Sequence, residues 1–168
     1  LSGEWDTISS EKGTLFNRLP MKFGLSYIVV IAAVLLLLNT YPLLVSQNLV
    51  FRSKEATLEG SVSVMVYSLS GLKQLNEENV SAAMAVAEDA GLSRILVTDA
   101  AGKVLYDTRE TGDAVGEYVL YTEVVQALLG NDAFTCSYRD DAFRSRATSP
   151  VLYQNQIIGA VYAYEYDT

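Results

Sequence analysis

Two arginines, Arg144 and Arg146, stand two residues apart in the run FRSRATS. Side chains alternate between the faces of a β-strand, so both arginines project from one face with Thr148, about 7 Å apart, while Phe143, Ser145 and Ala147 take the other. Two guanidinium groups at that spacing can clamp a carboxylate or a phosphate. The alternative is an exposed face on which they pair with Asp140, Asp141 or Glu165. Tyr162, Tyr164 and Tyr166 share one face of a later run, and read either as a recognition surface or as sheet packing. Acid–base catalysis would need paired carboxylates, for instance Asp107 with Asp140. Nothing in the sequence fixes their separation, and turn-forming aspartates are common. No glycine-rich phosphate loop or nucleotide motif occurs.

The residue types narrow the chemistry further. The 168 residues include no histidine, so this segment has no histidine-containing triad, imidazole metal ligand or phospho-accepting histidine. A lone Cys136 allows neither an intrachain disulfide nor a cysteine zinc cluster, leaving a buried thiol or a bridge across a dimer. No metal or cofactor is expected. Twelve Lys+Arg against twenty Asp+Glu give a net charge of −8, which argues against a nucleic-acid partner.

The elements that must position these residues follow from pattern and punctuation. RILVT and KVLYD are β-rich runs joined by the turn DAAG, in which Asp99 can bond its own backbone and Gly102 can take a positive φ. A polar loop with two glycines covers Thr108–Gly116, and TEVVQALLG predicts a short helix capped by Thr122 and stopped by Gly130. Strands are predicted at Ala133–Arg139, Phe143–Val151 and Gln156–Tyr166, with turns at 139–141 and 154–155. Ser149 before Pro150 suggests an edge or bulge, and Gly159 a close backbone approach. Upstream, LNEENVSAAMAVAEDAG reads as a helix. Asn76 caps it, Glu77 and Glu78 favour its positive start, Leu75 staples onto Val80, and Gly91 stops it. Its apolar side is Val80, Ala83, Met84 and Ala87. The order of helix, helix, two strands, short helix and three strands predicts an α+β domain on a five-stranded antiparallel sheet flanked by helices.

Residues Phe23 to Phe51 carry no charge before Arg52. Phe23–Val45, taken as a helix, reaches roughly 35 Å and can cross about 30 Å of hydrocarbon with some tilt. A cleavable signal peptide fits less well, because its apolar core would be shorter and NTYPLLVSQ offers no small-residue cleavage site. Arg18 and Lys22 before the span, against Arg52 and Lys54 after it, favour a cytoplasmic amino terminus. Three basic and three acidic residues precede the span, so the part beyond it holds the whole net charge of −8. Residues 1–22 read as a disordered cytoplasmic lead, within which Met21 would be a natural start. Beyond the span, Leu44, Phe51, Leu58, Met65 and Leu72 recur every seven residues, with Val62 and Leu69 between them, predicting a long helix over 46–72. Its stripe packs either on its own domain or on the same helix of a second chain. Leu58, Val62, Met65 and Leu69 are the candidate dimer and signalling positions.

Taken together, ILVTDAAGKVLYDT, YTEVVQALLGND and FRSRATSPVLYQNQIIGAVYAYEYD resemble the extracytoplasmic PAS-like sensor domain of the single-Cache type. The resemblance covers roughly residues 44–168, with 73–168 as the sensor domain proper. It implies the sensing region of a bacterial membrane-bound sensor histidine kinase of a two-component system, working as a homodimer, with a second span soon after Tyr166. A chemoreceptor, a membrane nucleotide cyclase or an anchored binding protein without an output domain are the alternatives. It also implies a pocket for a small anionic ligand or envelope component between one sheet face and the long loop, with Tyr138, Arg144, Arg146 and Tyr162 as its lining.

Overall fold

The computed structural model describes residues 4–85, 90–109, 111 and 113–167. The continuation of the second helix through Ala87, the loop glycine Gly112 and the side chain of Leu44 lie outside the described residues. The chain divides into two compact units, Leu1–Leu49 and Val50–Thr168.

A single helix, α1 (Glu4–Leu69), runs through the first unit and into the second. In the first unit, Pro20–Pro42 is long and apolar enough to cross a membrane, and all of it is exposed. The lead expected to be disordered is helical from Glu4, since extending an existing helix adds a hydrogen bond per residue without the cost of a new nucleus. At its other end α1 stops at Leu69, three residues before the predicted limit, with Gly71 close behind.

The second unit adds α2 (Glu77–Met84), β1 (Arg94–Asp99), β2 (Val104–Asp107), α3 (Thr122–Leu128), β3 (Ala133–Arg139), β4 (Ala142–Tyr153) and β5 (Gln156–Asp167). All strand pairs are antiparallel, in the order β2-β1-β5-β4-β3, so the last strand is the central one. Local chemistry sets the ends. Asn76 and Asn79 exchange side-chain-to-backbone bonds of 2.9 Å in a capping box at α2. The Asp99 carboxylate accepts from the N–H groups of Ala101 and Lys103, and Gly102 has φ +86°. The turns at Asp140–Asp141 and Gln154–Asn155 place all four residues at positive φ, as tight hairpins with the strand twist require. One cap differs from expectation: Tyr121, in extended conformation, precedes α3 without a side-chain cap bond, and Thr122 is already helical.

Strand alternation divides the sheet. Ile95, Val97, Ala147, Val161 and Ala163 meet Leu58, Val62, Met65 and Leu69 of α1, whose exposures are 0, 2, 4 and 0%. Of the two uses open to the stripe, packing in the domain's own core is the one this structure displays. The opposite sheet face, with Leu96, Val104 and Tyr162, is covered by Val119, Val124 and Ala114. Pro150 lies beyond the last β3 pairing, Ala133 with Thr148, where β4 has become an edge that loses nothing through a missing N–H. At Gly159 a Cβ would collide with the Thr98 carbonyl and the Leu75 side chain, so only glycine lets β5 lie this close to its neighbours. Truncating Leu58 to Ala is expected to cost about 2–5 kcal/mol in urea unfolding, whereas Val64→Ala, on the exposed side of α1, stays within about 0.5 kcal/mol.

Candidate functional site

On the face away from α1, strand register sets a row of charged and aromatic side chains. Tyr164 of β5 stands between Arg94 of β1 and Arg146 of β4, and Tyr162 lies between Leu96 and Thr148 in the next row. The segment 113–121, ahead of α3, arches over this face. Its far portion is sewn to the β2 edge, where Val104 N–H donates to Glu117 O at 2.8 Å, Gly116 N–H to Val104 O at 2.9 Å and Val119 N–H to Gly102 O at 3.0 Å. Between the loop and the sheet lies a cleft of about 340 Å³, lined by Arg94, Arg109, Tyr121, Arg146, Tyr162 and Tyr164.

Carboxylates behind the cleft hold two of its arginines. Asp107, its side chain fully buried, accepts from Arg94 Nε at 3.1 Å and Nη2 at 2.6 Å, a bidentate pair. The same carboxylate accepts from the backbone N–H groups of Arg109 at 3.0 Å and Ala114 at 2.9 Å, which pins the start of the loop. Burial alone would raise the Asp107 pKa, but the Arg94 bonds and these two N–H groups overcome it, and the group lies below its ordinary value. Glu123, in the first turn of α3, meets Arg146 Nη1 at 3.4 Å. Arg109 makes no ion pair among the described residues. Tyr162 packs on Tyr121 with ring centroids 5.4 Å apart. Its pKa is pushed up to about 12 by burial, against the opposing pull of Arg146, so the phenol stays a neutral hydrogen-bond donor at neutral pH. The arrangement can hold a small anion by charge, orient it with phenol donors and cover an apolar part with rings.

The structure brings together two of the four residues expected to line a pocket. Arg146 and Tyr162 line the cleft. Arg144 shares their face but lies toward the sheet's rim, 3.4 Å from Asp140 and 5.7 Å from the Tyr166 ring centroid, so it pairs on the surface as the alternative reading had it. Tyr138 is on the other face. It is opposite Phe143 in register, stacks on that ring at 4.7 Å and donates to Asp141. Cross-strand partners share a face, and Phe143 alternates with Arg144, so Tyr138 cannot reach the arginines. Asp107 and Asp140 do not form an acid–base pair, because β1 and β5 separate β2 from β4 and each aspartate already holds its own arginine. Sequence reasoning missed Arg94, Arg109 and Tyr121. Strand alternation put Arg94 on the face of Leu96, but only the strand order brings that face beside Arg146. The positions of Arg109 and Tyr121 depend on the loop's path.

No family model matches the sequence, and no curated protein does. Similarity appears among solved structures. An extracellular ligand-binding receptor from Desulfohalobium retbaense superposes with a TM-score of 0.52 at 15% identity, over 67% of this chain and 22% of the other. The ligand-binding domain of the Campylobacter jejuni chemoreceptor Tlp3, in complex with 4-methylisoleucine, gives 0.50 at 12% identity, over 68% and 55%. The sensor domain of E. coli DcuS gives 0.45 at 19% identity, over 66% and 91%. The chain thus spans about a fifth of the first and just over half of the second. The α+β fold, a five-stranded antiparallel sheet flanked by helices, is similar to that of the Desulfohalobium and Campylobacter domains.

A depressed carboxylate pKa adds stability that is fully present above the unfolded value of 3.8 and is lost as pH falls through the lower folded value. Asp107→Asn is therefore expected to cost roughly 3 kcal/mol at pH 7 by leaving Arg94 without its counter-charge. In urea unfolding across pH 2–6, the gap between wild type and variant should persist down to about pH 4 and shrink below it.

Proposed function

Starting from this shared fold, we propose that the chain is the extracytoplasmic sensing region of a membrane-anchored signalling protein, and that it binds a small anionic ligand in the cleft of Arg94, Arg109 and Arg146. The observation that carries the reading is the cleft itself, where three guanidinium groups and three phenols meet on about 340 Å³. Asp107 and Glu123 hold Arg94 and Arg146 in place before any ligand arrives, so less side-chain entropy is lost on binding. The ligand of the Campylobacter domain supports a small molecule over a macromolecular partner. The segment binds and does not catalyse.

The apolar stretch Pro20–Pro42 supplies the anchor, and the basic residues around it favour an amino terminus inside and a domain outside. The parent is read as a sensor histidine kinase, with a chemoreceptor as the second reading, since this fold serves either output. Occupancy acts by population shift: a ligand that binds one packing of the sheet on α1 better than another shifts their balance, and equal affinity for both would transmit nothing.

A dimer, if it forms through α1, uses the side away from the core, where Gly60, Val64 and Tyr67 follow helical spacing and remain exposed. In a Cys136→Ser background, Val64→Cys should crosslink two full chains in lipid nanodiscs under mild oxidation, and Leu58→Cys should not.

The ligand reading is tested by thermal shift of the full chain against small carboxylates, amino acids and phosphates. A compound at 100 times its Kd adds about 2.7 kcal/mol, several degrees in a domain of this size. Arg146→Ala and Arg94→Ala should abolish the shift, while Arg144→Ala and Tyr138→Phe, outside the cleft, keep it. No shift with any compound would move the function to a protein partner or membrane state.

A further inference from the structure

Strand β5 serves both faces of the sheet. Tyr162 and Tyr164 line the cleft, while Val161 and Ala163, which alternate with them, pack in the core with α1. The helix-facing set continues to Glu165 and Asp167, and both carboxylates accept from one amine. Lys54 Nζ of α1 lies 3.2 Å from Glu165 Oε2 and 2.6 Å from Asp167 Oδ2. The Lys54 side chain is only 19% exposed, so water and salt screen it less than an open surface pair. One turn earlier, Phe51 meets the Phe143 ring edge-on at 5.7 Å. One turn later, Leu58 enters the core. The start of α1 within this unit is thus fastened to the end of the strand whose other face lines the cleft.

We propose that Lys54 is a relay residue: its bonds to Glu165 and Asp167 make the position of α1 follow that of β5, so a displacement forced on β5 at Tyr162 and Tyr164 reaches the helix. Tyr164 and Glu165 are neighbours on one backbone with side chains on opposite faces, so neither can move along the sheet without the other. The proposal rests on reading the cleft as the ligand site, but its test needs no ligand.

The test is a double-mutant cycle on the full chain in detergent micelles, with unfolding of the domain in urea followed by pulse proteolysis. Lys54→Met removes the clamp, and Tyr164→Leu alters the cleft side of β5 while keeping bulk. The unfolding equilibrium constant of the double variant is expected to depart at least threefold from the product of the single effects. Distant independent sites multiply to within about twofold. A control cycle of Lys54→Met with Arg139→Ala, exposed on the outer strand β3, should stay within that limit. So should a cycle of Lys54→Arg with Tyr164→Leu, because arginine keeps both ion pairs. A product within twofold for Lys54→Met with Tyr164→Leu, or the same departure in the Arg139 cycle, would overturn the relay. Failure of the ligand reading would instead appear as absent thermal shifts with the coupling intact.

Discussion

Packing of one helical stripe on one sheet face organises the domain. Leu58, Val62, Met65 and Leu69 lie on successive turns of α1, and each fully buried side chain of this kind contributes about 1.5–3 kcal/mol. That burial holds the Val50–Leu69 part of α1 against β1, β4 and β5. The other sheet face is covered differently. Among the described residues the short α3 with Ala114 and Val119 covers it, and beside them lies the cleft.

A loop over a polar cleft has to be fixed by specific bonds. Here the β2 edge supplies backbone partners along residues 116–119, and the Asp107 carboxylate ties the start of the loop to the guanidinium of Arg94. One buried charge therefore satisfies two loop amides and orients a cleft arginine. Such a group is costly to disturb, since removing either partner leaves the other charged and poorly solvated. The loop and the wall of the cleft are thereby one connected network, and β5 beneath them is paired on both sides.

Central placement of β5 gives the domain its polarity of function. Its length of twelve residues lets it pair with β1 over six positions and with β4 over eleven. Residues facing the cleft and residues facing α1 alternate along it, and Gly159 permits close approach to β1 where a side chain would collide. The last helix-facing positions end in carboxylates that meet Lys54, so the chain's first and last segments in this unit are joined at one end of the domain.

Local rules alone determined much of this. Asn76, Gly102, Asp99 and the turn pairs Asp140–Asp141 and Gln154–Asn155 act within a few residues of themselves, and their elements end where those residues place them. The seven-residue recurrence marked the buried stripe, and period-two alternation put Arg146 and Tyr162 where they stand. What local pattern could not supply was the neighbour of each strand. Tyr138 stands on the face opposite the arginines because its register against Phe143 is a relation between strands. Arg94 became a cleft residue only because β5 inserts between β1 and β4, and Arg109 and Tyr121 only because the loop folds back over that row. The choice of α1's stripe between its own sheet and a second chain likewise depended on which apolar surface lay within reach, a question of long-range packing that periodicity in one segment does not answer.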